Sequence, residues 1–130
     1  MILDAKLIAE GWIDLRVSKL SKRERALGEW ANEALKEAIY HDPDYAFEII
    51  EAIHALDPEH KQVEEFAAGP LEDLLSYQGV MTIDRIEQKA RQDPSFAFVL
   101  GGVWQGSTPD SIWERVEKCR ERRGWDGIHQ

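Results

Sequence analysis

Apolar residues recur at intervals of three and four along most of the chain, which is the spacing of one face of an α-helix. These apolar stripes cover residues 7–15, 27–39, 46–56, 63–67, 71–75, 83–90, 97–104 and 112–119. No segment alternates apolar and polar residues with the period of a strand, and β-branched residues do not cluster. The sequence therefore predicts an all-α fold of about eight short helices and no sheet.

Proline punctuates the stripes and indicates where helices end and begin. Asp-Pro occurs at 42–43, 57–58 and 93–94, where the Asp carboxylate can accept hydrogen bonds from a first turn that Pro opens. Thr108-Pro109-Asp110 repeats this arrangement with a hydroxyl group. Gly69-Pro70 is typical of a glycine C-cap followed directly by a new first turn. We expect one helix to end and another to begin at each of these places.

An internal repeat supports a modular arrangement of these helices. Residues 41–47 (HDPDYAF) and 92–98 (QDPSFAF) match in type at almost every position, and each copy separates two apolar stripes. A period of about fifty residues made of helix, Asp-Pro and helix is typical of stacked hairpins of the α-solenoid kind. An orthogonal bundle built from a duplicated hairpin fits equally well. In both cases the length suits one domain, and we expect residues 1–130 to form a single helical domain.

Composition restricts the classes of function. A net charge of −9 repels phosphate backbones and argues against nucleic acid as a partner. From Glu29 to Asp73 the chain has thirteen acidic and two basic residues, whereas from Arg115 to Arg123 it has five basic and two acidic ones. An acidic surface attracts basic protein partners, but solvated helix faces often have the same composition. The acidic middle is therefore a candidate interface with an ordinary alternative explanation.

The sequence also indicates where the protein works. No apolar run approaches the roughly 20 residues that a membrane-spanning helix needs. Asp4, Lys6 and Glu10 interrupt the N-terminus where a secretory signal would be apolar. The chain has one cysteine, Cys119, so no disulfide framework can form. We expect a cytoplasmic protein without membrane contact.

No catalytic arrangement is evident. Glu72 and Asp73 are adjacent on a predicted helix, so their side chains diverge by about 100° and cannot converge on one acid–base site. Glu51 and His54 are spaced to share one helical face, with Glu48 one turn earlier. The further ligands of a di-metal helical bundle are missing from the sequence, however. The sequence predicts no catalytic residues, no cofactor and no metal site.

The chain has five tryptophans, which is many for its length. Trp30, Trp104 and Trp113 fall within apolar stripes and are predicted to lie in the core. Trp125 follows the last stripe and either folds back on the core, which we favour, or is exposed as an interface anchor. The glycine pair 101–102 interrupts an apolar stretch and is expected to admit a neighbouring helix closely or to bend its own.

Four motifs occur together in the C-terminal half: GPLEDLL at 69–75, IDRIEQKARQDPSF at 83–96, LGGVWQG at 100–106 and IWERV at 112–116. Together they resemble a bacterial family, a domain of unknown function with the GPLEDLL sequence at its core. The N-terminal regions around Gly11-Trp12-Ile13 and Asp42-Pro43 resemble it more loosely. The resemblance implies a helical fold and a bacterial source, and it brings no established activity.

These observations favour a small acidic protein-binding module, such as an immunity-type inhibitor of a bacterial toxin or regulator. The candidate binding residues are seven acids and one tryptophan: Glu29, Glu33, Glu37, Glu48, Glu51, Glu72, Asp73 and Trp125. The first three step by four along one predicted helix and form a continuous exposed row on the side opposite Trp30. Two alternatives stay open: a structural or regulatory subunit of a larger assembly, and a metal-dependent enzyme centred on Glu48, Glu51 and His54. The oligomeric state is not specified by the sequence.

Overall fold

The structure is a computed structural model that describes residues 4–17 and 20–125. The regular structure in these ranges is entirely helical, without strands, which confirms the all-α prediction. The elements are α1 (Ala5–Val17), α2 (Lys22–His41), α3 (Pro43–Leu56), α4 (Val63–Phe66), a π-helical segment (Ala67–Leu71), α5 (Glu72–Gln92), α6 (Pro94–Gly101) and α7 (Asp110–Cys119). Because α4, the π segment and α5 follow one another without a break, the described residues form six helical runs rather than about eight.

One of the two missing helix boundaries is at Gly69-Pro70, where the prediction of a helix end was wrong; the other is between the stripes at 71–75 and 83–90, which lie on the same helical run. Pro70 lies inside the π segment instead of opening a new helix. The wider π turn separates the proline ring from the carbonyl with which it would collide in an α-helix. Gly69 lacks the positive φ of a glycine cap. The chain therefore continues as one helical run from Val63 to Gln92, with a kink at Gln78.

Two of the Asp-Pro motifs form the predicted helix junctions. Asp42 ends α2, and its carboxylate accepts a hydrogen bond of 3.2 Å from the Tyr45 backbone N–H at the start of α3. Asp93 ends α5, and its carboxylate accepts hydrogen bonds of 3.0 and 3.4 Å from the Ser95 and Phe96 backbone N–H groups in α6. The repeated sequences therefore form equivalent junctions.

Asp57-Pro58 has a different role from the predicted one. Asp57 ends α3, but its buried carboxylate accepts hydrogen bonds of 2.9 and 2.8 Å from the backbone N–H groups of Lys61 and Gln62. These contacts close a loop, and the next helix begins only at Val63. Because the chain does not continue as a helix after Pro58, the Asp57 carboxylate stabilises a turn instead of capping a helix.

The prediction that Thr108 caps the last helix was also wrong. Helix α7 begins at Asp110 with Pro109 in the capping position, and no side chain caps it. The Thr108 side chain is buried instead of accepting from the first turn. Asp110, an acidic residue in the first turn, partly compensates the positive end of the helix dipole at this end of α7.

The chain divides into two compact units, with the boundary between Gln62 and Val63. In the first unit α1 packs against α2 and α3, and the core includes Ile8, Trp12, Leu35, Ile39, Ile49, Ile50 and Ile53. In the second unit α5 packs against the π segment, α6 and α7, and the core includes Leu74, Leu75, Ile83, Ile86, Phe96, Leu100 and Val116. The single domain over residues 1–130 and the stacking of the hairpins stay predictions.

Two tryptophans that were predicted in the core lie at the surface. Trp30 is 45% exposed and Trp104 is 61% exposed, while Trp113 is partly exposed. A helix turns by about 100° per residue, so Trp30 lies outside the buried face that Gly28 and Ala31 share. Trp104 lies beyond the end of α6, where helical spacing no longer decides burial. The apolar stripes of the sequence therefore included two residues, Trp30 and Trp104, that do not belong to the buried faces.

Candidate functional site

The predicted acidic row faces solvent along α2. Glu29, Glu33 and Glu37 are exposed. Glu33 lies 3.6 Å from Lys36, and Glu37 lies 3.6 Å from the His41 imidazole. All of these side chains are largely exposed, so the ion pairs contribute little stability. The row is available to another molecule, and its negative charge is only partly compensated.

Trp30 lies beside this acidic row, whereas the sequence placed it opposite. Trp30 and Glu33 are three residues apart on α2, and residues at this separation are neighbours on a helix surface. Both side chains are exposed. The outer face of α2 therefore combines a large aromatic ring with a row of carboxylates.

A groove lies between α1 and α2 next to Trp30, with a volume of about 230 Å³. Its walls are apolar or small at Leu7, Gly11, Leu20, Leu27, Gly28, Trp30 and Ala31, and acidic at Glu10, Asp14 and Glu24. Leu7 and Leu27 are each more than half exposed. The groove thus joins exposed apolar surface to three carboxylates, and sequence reasoning missed it because its residues come from two helices.

Two glycines bring α1 and α2 close together along this groove. A Cβ atom at Gly11 would lie 2.5 Å from Cβ of Ala31, and one at Gly28 would lie 2.6 Å from Cγ of Leu15. Carbon atoms that are not bonded pack at about 3.5–4.0 Å, so these positions leave no space for a side chain. The close backbone contact fixes the distance between the groove walls.

The three acids of the groove differ in their surroundings. Glu24 belongs to a capping box in which its carboxylate accepts from the Ser21 backbone N–H and the Ser21 hydroxyl accepts from the Glu24 N–H, both at 3.2 Å. The hydrogen bonds with Ser21 lower the pKa of Glu24. Glu10 and Asp14 lie one turn apart on α1 and have no ion pair with any described residue. Like charges at this spacing repel, so this side of the groove favours a cation.

Glu72 of the GPLEDLL motif has a structural contact in the second unit. Its Oε1 accepts a hydrogen bond of 3.0 Å from the Trp104 backbone N–H. Partial burial raises the pKa of Glu72, which the hydrogen bond from Trp104 opposes and the charge of Asp73 reinforces. The Glu72 carboxylate therefore holds the loop after α6 against the start of α5. No spacing in the sequence indicates this contact, because the two residues are far apart along the chain.

The second unit also has an exposed apolar strip on α5. Tyr77, Val80 and Met81 are each more than half exposed. They lie close together along α5, with Tyr77 before its kink at Gln78 and the other two after it. The spacing was visible in the sequence, but it was not recognised as a surface feature. The strip is a second candidate contact surface.

Trp125 and the possible metal ligands do not contribute to an exposed site. Trp125 is completely buried, which confirms that it folds back and removes it from the candidate binding surface. Glu48 and Glu51 are exposed on α3, whereas His54 is buried. Within residues 4–17 and 20–125, no three His, Cys, Asp or Glu side chains are grouped so that they could hold a metal ion. The proposed centre at Glu48, Glu51 and His54 is therefore not formed.

The described helices include none that is both long and apolar enough to cross a bilayer. The fold and the exposed surfaces define a small all-α protein with an acidic groove in its first unit. The chain belongs to a family of unknown function, DUF6869, whose sequence profile matches residues 18–124. No curated protein and no solved structure matches it. Membership confirms the resemblance to a family of unknown function and brings no activity, and the bacterial source stays a prediction.

Proposed function

We propose that this protein is a protein-binding module that docks a partner with a basic surface on the outer face of α2. The observation that carries this proposal is the exposure of Trp30 beside an acidic row. Trp is among the residues that contribute most to binding energy at protein interfaces, and it does so when the partner covers it. A large aromatic ring at the surface of α2 therefore supports a contact with another macromolecule.

In this proposal the acidic row affects a different step of binding from Trp30. Exposed charges such as Glu29, Glu33 and Glu37 act at long range, so they raise the rate at which a basic partner arrives. Trp30 acts at short range and slows dissociation once water has been excluded. The two features thus control different rate constants, which makes them separable in an experiment.

An immunity-type inhibitor of a bacterial toxin, or an antagonist of a regulator, is the specific form that we propose. Inhibition of this kind requires only that a surface of the partner be covered, so it needs no catalytic residues. The acidic character of the chain, with a net charge of −9, suits a basic target. Isolation of the partner protein would show whether it is a toxin or a regulator.

A structural or regulatory subunit of a larger assembly is the second candidate function. It is favoured by the strip of Tyr77, Val80 and Met81, which exposes three apolar side chains within a short stretch of α5. Large exposed apolar patches mark interaction sites in soluble proteins. In this case Val80→Asp would prevent assembly, whereas changes on α2 would leave assembly intact.

The experiment begins with affinity purification from the native host and identification of the captured protein by mass spectrometry. Association with this purified partner is then measured by stopped flow over a salt series. Glu29→Lys/Glu33→Lys is expected to slow association severalfold and to flatten its salt dependence. Trp30→Ala is expected to raise the dissociation rate. Glu64→Lys/Glu65→Lys is the matched control, because these two acids are exposed on α4, outside the row.

The control separates a specific row from general charge effects. If the α4 variant slows association as much as the α2 variant does, the row has no special role. If both α2 variants bind with wild-type rate constants at low salt, the proposed function is wrong. A loss of binding by Val80→Asp alone would support the assembly subunit instead.

A further inference from the structure

We infer that the groove between α1 and α2 receives an arginine side chain of the partner protein. This inference rests on the proposed function, since it names the chemistry by which the same face of the first unit recognises its partner. It is carried by the size of the groove, its apolar walls, the two acids on α1 that have no ion pair among the described residues, and the arginine contacts of two other tryptophans.

The size of the groove selects the kind of ligand. Small-molecule sites in proteins have volumes of about 300–1,000 Å³, and this groove has about 230 Å³. It is therefore small for a metabolite or cofactor. It has room for one long side chain that enters from a neighbouring protein surface.

The walls match the two parts of an arginine side chain. Leu7 and Leu27 offer apolar surface to a flexible aliphatic stem. Trp30 contributes an indole ring to the lining of the groove, and a planar guanidinium can stack on such a ring by a cation–π contact. An aliphatic side chain would use the leucines alone and would leave the acidic side of the groove without a counter-charge.

The acids on the opposite side of the groove complete the match. Glu10 and Asp14 are exposed and have no ion pair among the described residues. A guanidinium has five N–H donors in a fixed plane and can bond carboxylates while it stacks on an aromatic ring. A lysine ammonium is a compact charge that is less suited to both contacts at once. The groove therefore favours arginine over lysine.

Two other tryptophans of this chain each have an arginine guanidinium over the ring. The Arg16 guanidinium lies 3.7 Å from the ring centroid of Trp12, and the Arg120 guanidinium lies 4.9 Å from that of Trp113. Trp30 has no corresponding cation among the described residues. An arginine from the partner would give Trp30 the same kind of neighbour.

The inference is tested with four blocked pentapeptides in which the central residue between alanines is Arg, Lys, Gln or Glu. Binding to the full chain is followed by NMR at the indole N–H of Trp30 and the backbone N–H groups of Gly11 and Gly28. The Arg peptide is expected to shift these signals saturably at millimolar concentration, the Lys peptide to bind severalfold more weakly, and the Gln and Glu peptides to cause no saturable shift.

Matched variants assign the contacts. Glu10→Gln/Asp14→Asn is expected to weaken the Arg peptide by about threefold to tenfold, as loss of exposed ion pairs does. Trp30→Leu retains apolar surface but is expected to abolish the preference for Arg over Lys. Glu64→Gln/Glu65→Gln removes the same number of charges outside the groove and is expected to leave binding unchanged.

The possible failures are distinguishable. If the Arg peptide does not shift the groove signals, or if it binds equally well to Glu10→Gln/Asp14→Asn, the arginine inference is overturned. In that case the row variants and Trp30→Ala can still impair the natural partner, and the protein-binding function stands. If the peptide binds as expected but the natural partner binds all of the α2 variants as it binds the wild type, the groove is an arginine site and the proposed function is wrong.

Discussion

Trp125 stacks on Phe98 with ring centroids 5.1 Å apart, and its Nε1 donates a hydrogen bond of 2.6 Å to the Phe98 carbonyl. Next to it, the Arg122 guanidinium donates a hydrogen bond of 2.7 Å to the Gly101 carbonyl. The segment after α7 is thus bound to the backbone of α6 by the side chains of Arg122 and Trp125, which lie at the two ends of one turn. This explains why Trp125 is buried although it lies beyond the last helix.

Gly101→Ala is expected to destabilise the second unit because a Cβ atom there would collide with the backbone carbonyl of Glu121. Overpacking usually costs about 1–3 kcal/mol, and here the obstacle is backbone that cannot rotate away. Gly69→Ala is the matched control, since nothing outside its own stretch of helix backbone lies within 4 Å of its Cβ position. It is expected to change stability by about 1 kcal/mol or less. Urea unfolding followed by circular dichroism measures both, and equal stabilities would contradict the close packing.

The tryptophans provide a second test, because burial separates them. Trp12→Ala removes a completely packed ring and is expected to cost about 3–5 kcal/mol. Trp30→Ala and Trp104→Ala remove rings that are 45% and 61% exposed and are expected to cost about 1 kcal/mol or less. The free energies of unfolding of the three variants decide the matter. A loss of about 3 kcal/mol in Trp30→Ala would mean that this ring belongs to the core and is not available to a partner.

The surroundings of Trp30 also show how far a helical pattern predicts a fold. The stripe of α2 correctly identified Ala31, Leu35 and Ile39 as buried, because residues that share a helix face share its environment. Trp30 lies at the edge of that face, and its neighbours on α1 determine whether it is covered. Periodicity contains no information on the neighbouring helix, so the groove could not be predicted.

Two capping motifs could be predicted because the capping residue and the backbone N–H groups that it binds are close together in the sequence. Asp42 and Asp93 each act within three residues of sequence, so their patterns were interpreted correctly. Pro70 was misinterpreted because a π turn depends on how the helical run packs on both sides. The contact of Glu72 with Trp104 is a tertiary contact and has no local pattern. Local chemistry was therefore predictable at Asp42 and Asp93 but not at Asp57 or Thr108, and long-range contacts were not predictable.

Asp57→Ala is expected to destabilise the protein by about 1–3 kcal/mol, which is typical when hydrogen-bonded polar groups lose a partner at a buried position. The change removes the acceptor for two backbone N–H groups, those of Lys61 and Gln62. Glu59→Ala is the control, because it removes only an exposed ion pair of 3.3 Å with Lys61 and should cost well under 1 kcal/mol. Hydrogen exchange of the Lys61 and Gln62 amides should accelerate in the Asp57 variant alone. Unchanged exchange there would show that the loop does not depend on this carboxylate.

Two carboxylates of α5, those of Glu72 and Glu87, have pKa values that are shifted in opposite directions. Burial raises the pKa of Glu72 above 4.5, so the folded state binds this proton more tightly than the unfolded state. The stability associated with Glu72 is therefore present below the unfolded pKa and is lost as the pH rises through the folded pKa. Hydrogen bonds from Arg115 lower the pKa of Glu87 below 4.5. Its contribution is present above the unfolded pKa and is lost as the pH falls through the folded pKa.

Glu72→Gln and Glu87→Gln should consequently change the pH profile of stability with opposite signs. Relative to the wild type, Glu72→Gln should gain stability as the pH rises above 4.5, because glutamine is neutral and its oxygen can still accept from the Trp104 N–H. Glu87→Gln should be destabilised at neutral pH, and this deficit should shrink as the pH falls below 4.5 and the wild-type carboxylate is protonated. Urea unfolding at a series of pH values from acid to neutral measures both differences. Parallel profiles for the two variants would mean that burial does not dominate at Glu72, and that its hydrogen bond from the Trp104 N–H controls its ionisation instead.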